Sequence, residues 1–114
     1  MNERLRAVVD EAGAVVQFFY PWWMRPFLRR DVIGLTLGRR VYIAPHMLER
    51  SEAELERLLR HELAHVRQVR RIGLLRFLWR YLGEYWMLRR SGKSASAAYN
   101  AISFEREARE AEEA

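Results

Sequence analysis

The sequence predicts a mostly helical α+β fold. Apolar residues recur at three- and four-residue steps over most of the chain, two β-branched runs are divided by Gly38, and Pro45, Ser51 and Gly73 punctuate the remainder. A short hairpin is therefore expected beside a long helix that carries His61, Glu62, Leu63, Ala64 and His65, with further helices after it.

From Asn2 to Phe19, Leu5, Val8, Val9, Ala12, Val15, Val16 and Phe19 fall on one stripe between Arg4, Arg6, Asp10 and Glu11, predicting an amphipathic first helix. Residues 18–28 are rich in aromatics and broken by Pro21 and Pro26; their large rings are expected to plug a core. Residues Val32 to Ala44 read as a β-hairpin turning at Gly38, Arg39 and Arg40 and ended by Pro45. Ser51 with Glu54 forms a capping box, which starts the next helix at Glu52 and carries it to about Arg71. Its Leu55, Leu58, Leu59, Glu62, Val66 and Val69 share a side, so the Glu62 carboxylate is expected among apolar neighbours, a setting that raises proton affinity and suits a general base.

Gly73 separates that helix from another at Leu74 to Arg90, apolar round nearly its whole circumference, with Arg76, Arg80 and Glu84 as a narrow polar strip. Burial at the centre of the fold is the expectation. Association with a partner protein or a second copy through the excess apolar surface comes next, and seating at a membrane surface is the less favoured alternative. Ser91 to Ser96 reads as a small-residue loop before a last helix from about Ala97 through Arg109.

The bulk numbers bound what such a chain can be. At 114 residues it reads as a single domain: an N-terminal helix and aromatic segment over 1–31, a core over 32–109 and an acidic tail over 110–114. An apolar half of the composition excludes a disordered chain. The absence of cysteine excludes disulfides and thiolate metal sites. The start, Met1, Asn2, Glu3 and Arg4 followed by Asp10 and Glu11, lacks the layout of a secretory signal, and no run is long enough to span a bilayer, so a cytoplasmic location is expected. The net charge of +5 is almost all arginine, Lys93 being the only lysine. These arginines read as solvated helix faces, and nucleic acid is not an expected partner.

The sharpest signal is the pentad His61-Glu62-Leu63-Ala64-His65. Residues four apart on a helix share a face, so two imidazoles can hold one zinc ion with Glu62 close to a metal-bound water, the outline of a hydrolytic site. Two histidines hold zinc weakly, so a third protein ligand is needed. His46, between the hairpin and the helix cap, reads as a loop residue. In the last helix Ala98, Ala101, Ile102, Glu105 and Ala108 form the inward stripe while Glu107 aligns with Asn100, Ser103 and Glu110. Glu105 is therefore the expected third ligand, a core-facing carboxylate that needs a strong partner.

These residues resemble a family. The hairpin Thr36-Leu37-Gly38-Arg39-Arg40-Val41-Tyr42-Ile43, the stretch Leu59-Arg60-His61-Glu62-Leu63-Ala64-His65-Val66-Arg67-Gln68 and the late Phe104-Glu105-Arg106-Glu107-Ala108 are similar to small bacterial gluzincin-like metallopeptidase domains with the motif H-E-L-x-H-V-x-Q, related to HtpX-like membrane peptidases. The resemblance spans roughly Val32 to Arg109. It implies a minimal zincin-like domain in which zinc is held by His61, His65 and Glu105 and Glu62 activates water. One departure stands out: Arg109 occupies the place of an acid that often follows the alanine, so support for a histidine must come from elsewhere.

The expected activity is zinc-dependent hydrolysis of a peptide or protein substrate, with the exposed rim of the hairpin at Val41 to Ala44 receiving an extended peptide and Tyr81, Tyr85 or Tyr99 stabilising the oxyanion. A catalytically silent zinc-binding module and an arginine- and tryptophan-rich membrane-surface adaptor are the alternatives.

Overall fold

The computed structural model of the chain describes residues 3–21 and 34–113. Trp22 to Leu28 of the aromatic segment, and Val32 and Ile33 of the predicted hairpin, lie outside them. The elements run α1 (Glu3–Ala12), β1 (Val15–Gln17), β2 (Gly34–Leu37), β3 (Arg40–Ile43), a 3-10 turn (Pro45–Glu49), α2 (Glu52–Ile72), α3 (Leu74–Arg90), α4 (Ala95–Ala101) and α5 (Ser103–Glu112). The fold is α+β and mostly helical, as the periodicity predicts.

The first helix is shorter than its periodicity suggests. Gly13 adopts φ 69°, a conformation that favours glycine, and ends α1 at Ala12; Arg70 of α2 donates to the Ala12 carbonyl at 2.9 Å. Val15, Val16 and Gln17 then form a strand parallel to β3, opposite Arg40, Val41 and Tyr42. The sheet order is β1-β3-β2, with β2 antiparallel to β3. β3 is thus the central strand, and Val41, Tyr42, Ile43 and Ala44 are buried. This overturns the expectation that Val41 to Ala44 forms an exposed rim: both sides of β3 are already paired, and the edge strands among the described residues are β1 and β2.

One core joins α1, β3 and α2 around Leu5, Val9, Val41, Ile43, Leu59 and Leu63. Each fully buried aliphatic side chain there contributes on the order of 1.5–3 kcal/mol. A second cluster of Phe77, Ile102 and Phe104 packs with Val69 and Ile72 of α2 and with Tyr81 and Tyr85. The helix bearing the pentad therefore contributes to both apolar clusters.

Ser51 caps α2 by accepting from the Glu54 N–H, and Gly73, at φ 89°, separates α2 from α3. The expected burial of α3 is not what forms. Only Phe77 of that helix is buried, while Leu75 and Trp79 are each 83% exposed. The described residues cover one face of α3, and the rest of its apolar circumference looks outward. The last helix also differs. Ser94 caps a helix that begins at Ala95, and the chain breaks at Ile102, whose φ −60° and ψ 132° are extended, before α5 begins. Glu112, expected in a fraying tail, belongs to the last turn of α5.

Candidate metal centre

α2 and α5 pack against each other so that His61, His65 and Glu105 converge. Their ligating atoms all lie within 4.8 Å of one another. Glu105 Oε1 stands 3.0 Å from His61 Nε2 and 2.9 Å from His65 Nε2. Four-residue spacing on α2 aligns the two imidazoles, whose rings meet edge to face with centroids 5.1 Å apart. Glu105 is 3% exposed, and Tyr81 Oη donates to its other oxygen at 2.5 Å. Glu107 points away, exposed, with Arg71 3.7 Å from its carboxylate.

The outer nitrogens of both rings are also fixed. Gln68 Nε2 donates to the Phe104 carbonyl at 3.1 Å, which settles the orientation of its amide and turns Oε1 toward His65 Nδ1 at 2.8 Å. Glu112 Oε2 accepts from His61 Nδ1 at 3.0 Å. Each Nδ1 therefore carries a hydrogen, and in a neutral ring each Nε2 presents a lone pair toward the lone pairs of Glu105 Oε1. That arrangement requires a cation between them: a proton on each imidazole, or one metal ion shared by all three groups.

The protonated alternative appears in the electrostatics of the chain alone. Burial disfavours a charged His61, but the Glu105 and Glu112 carboxylates outweigh it and hold its pKa up at about 9. His65 is raised as well, burial being overcome by Glu105. Glu105, despite the burial that opposes its charge, is held far below the usual carboxylate range by its bonds to His61 and His65.

The donor set fits zinc. Two imidazole nitrogens and one carboxylate oxygen are borderline ligands, three in number, leaving a fourth position for substrate or water. Bonds of about 2.0–2.1 Å at tetrahedral angles separate neighbouring donors by roughly 3.3 Å, close to the spacing between Glu105 and each ring.

Glu62 lies beside this cluster, 6% exposed, its carboxyl pKa pushed up by burial, with a bond from Thr36 only partly opposing. Thr36 Oγ1 donates to Glu62 Oε2 at 2.5 Å, tying β2 to the helix. β2 approaches so closely that a Cβ at Gly34 would stand 2.9 Å from Glu62 Oε1 and 3.0 Å from Leu58 Cδ1, so a side chain there would displace the Glu62 carboxyl. A cavity of about 880 Å³ opens over the cluster; β2 forms one wall and Leu78, Tyr81 and Leu82 of α3 another.

Tyr81 and Tyr99 line the cavity, and burial followed by the Glu105 charge raises the pKa of both phenols. Tyr85 instead packs in the second apolar cluster, and His46 sits exposed on the 3-10 turn. Sequence reasoning does not single out Gln68, Glu112 or Thr36. A signal for Gln68 exists, since a glutamine three residues past the second histidine is part of the motif H-E-L-x-H-V-x-Q; Glu112 and Thr36 reach the site only through tertiary packing.

Residues 30–73 match the family model of the eCIS core domain, and no curated protein and no solved structure matches the chain. The matched stretch is under half of the chain. It holds Thr36, His61, Glu62, His65 and Gln68 and stops short of Glu105 and Glu112.

Proposed function

We propose that the chain is a zinc-dependent peptidase whose metal is held by His61, His65 and Glu105 and whose general base is Glu62. One observation carries the reading: two imidazoles with both Nδ1 atoms committed as donors aim their Nε2 atoms at a single carboxylate oxygen, beside a buried fourth residue that is itself a carboxylate. A buried carboxyl with a raised pKa beside the cluster is what a general base requires, which supports the reading.

When bound, zinc supplies Lewis-acid polarisation of the scissile carbonyl and acidifies a water toward neutrality. The other steps belong to the chain. Glu62 takes the proton of the attacking water and delivers it to the leaving amine; its raised pKa gives it the basicity for the first transfer and the acidity for the second. Thr36 holds one oxygen of that carboxylate, leaving Oε1 for the proton. Gln68 and Glu112 orient the two imidazoles. β2, an edge strand among the described residues, offers backbone donors and acceptors to an extended substrate along the cavity wall. Tyr81 and Tyr99 both reach Glu105 through their hydroxyls, and Tyr99, 44% exposed at the cavity wall, is the more accessible of the two to an oxyanion.

Glu62→Gln is the direct test. The variant is expected to retain zinc in full and to lose peptide cleavage by about two to four orders of magnitude, measured on an unfolded protein or a peptide library. Cleavage at the parent rate would remove Glu62 from the mechanism; full zinc with no cleavage by the parent itself would favour a silent zinc module.

A further inference from the structure

Helix α3 carries an outward stripe that the described residues leave uncovered. Leu75, Trp79, Leu82 and Trp86 follow one another at steps of four, three and four, and they are 83%, 83%, 59% and 58% exposed. Such spacing places them along one side of the helix. Arg76, Arg89 and Arg90 are exposed on the same helix, while the Arg80 guanidinium lies over the Phe104 ring, 5.1 Å from its centroid. Its one acid, Glu84, is turned inward, accepting from the Ser103 N–H and hydroxyl at 3.1 and 2.7 Å. The exposed surface of α3 thus combines leucine and tryptophan with unopposed positive charge. The guanidinium of Arg90 lies 4.8 Å from the Trp86 ring centroid, so cation and indole are presented together.

We propose that α3 docks the protein on an anionic phospholipid bilayer, lying in the plane of the headgroups with its tryptophans at the acyl boundary. Among the described residues no helix is long and apolar enough to cross a membrane, so the contact is a surface one. Charge selects this occupant over a second copy: a symmetric pairing of α3 against α3 would bring like arginines together while the helix's one acid, Glu84, is turned inward. Anionic headgroups supply the missing charge, and arginine stems let the guanidinium groups reach them while tryptophan and leucine bury. Because Leu78 and Leu82 also line the cavity, docking would bring the cavity mouth to the lipid surface. The inference stands apart from the metal reading, and His61→Ala is expected to leave docking unchanged.

Co-sedimentation of the full chain with phosphatidylcholine vesicles containing about 30% phosphatidylglycerol, against pure phosphatidylcholine, tests it. Binding is expected on the anionic vesicles, roughly tenfold weaker or more on the neutral ones, and strongly reduced between about 0.05 and 0.5 M salt. Trp79→Ala with Trp86→Ala is expected to weaken binding about tenfold or more. Arg76→Glu is expected to weaken it about fivefold or more, with the melting temperature unchanged because these side chains are exposed. Absence of binding to the anionic vesicles overturns the proposal, as does binding that ignores the tryptophan substitutions. A dimer seen by light scattering and dissolved by those same substitutions would assign the stripe to a second copy instead.

Discussion

Gln68 and Glu112 decide what the central histidines can do. By holding both Nδ1 atoms as donors they leave each Nε2 either to carry a second proton or to bind a metal, and this choice makes stability depend on pH. In the metal-free chain His61 has its pKa raised from 6.5 to about 9, so its contribution to stability is complete below 6.5 and is lost as pH rises through about 9. Glu105 is shifted down from 4.5, so its contribution is complete above 4.5 and lost as pH falls. The chelated protein should therefore melt lower toward pH 9 than between about 4.5 and 6.5, with Glu62, raised by burial, adding to the loss as pH rises. Zinc reverses the upper limb, because it needs the deprotonated rings and binds better as pH rises. Melting curves with and without chelator across that range check both signs; parallel curves would mean that the imidazoles do not exchange a proton for the ion.

Glu84 shows how one element shapes another. It caps the start of α5 from α3, bonding both the N–H and the hydroxyl of Ser103, because Ile102 at the N-cap has no side-chain acceptor. Glu84→Ala is expected to cost about 1–2 kcal/mol, measured by denaturant unfolding of the metal-free chain, since it leaves a half-buried cap unmet. α2 is legible in the sequence almost to the residue because its signals are local: Ser51 before Glu54 at one end and Gly73 at the other. The break at Ile102 is not legible, since no glycine or proline marks it and the apolar period runs straight through. β1 is hidden in the same way. Val15 and Val16 continue the helical stripe of α1, and the pairing that makes them a strand comes from β3, distant in sequence. The exposure of α3 escapes composition, which counts apolar residues but not the partners available to cover them.

At the scale of the molecule, the site is where two helices far apart in sequence meet, α2 contributing to both apolar clusters. The pentad on α2 and the inward stripe that singles out Glu105 can both be read from spacing, because each rests on helical periodicity. The contribution of β2 cannot, because it depends on how the sheet lies across α2 and brings Thr36 onto Glu62. Zinc would cross-link α2 to α5, joining the two clusters through one ion. Zinc analysis of the purified chain and of two variants tests this most directly. One zinc per chain is expected in the parent and in Glu107→Ala, whose carboxylate is exposed beside Arg71, and none in Glu105→Ala. Full zinc in Glu105→Ala would contradict the account.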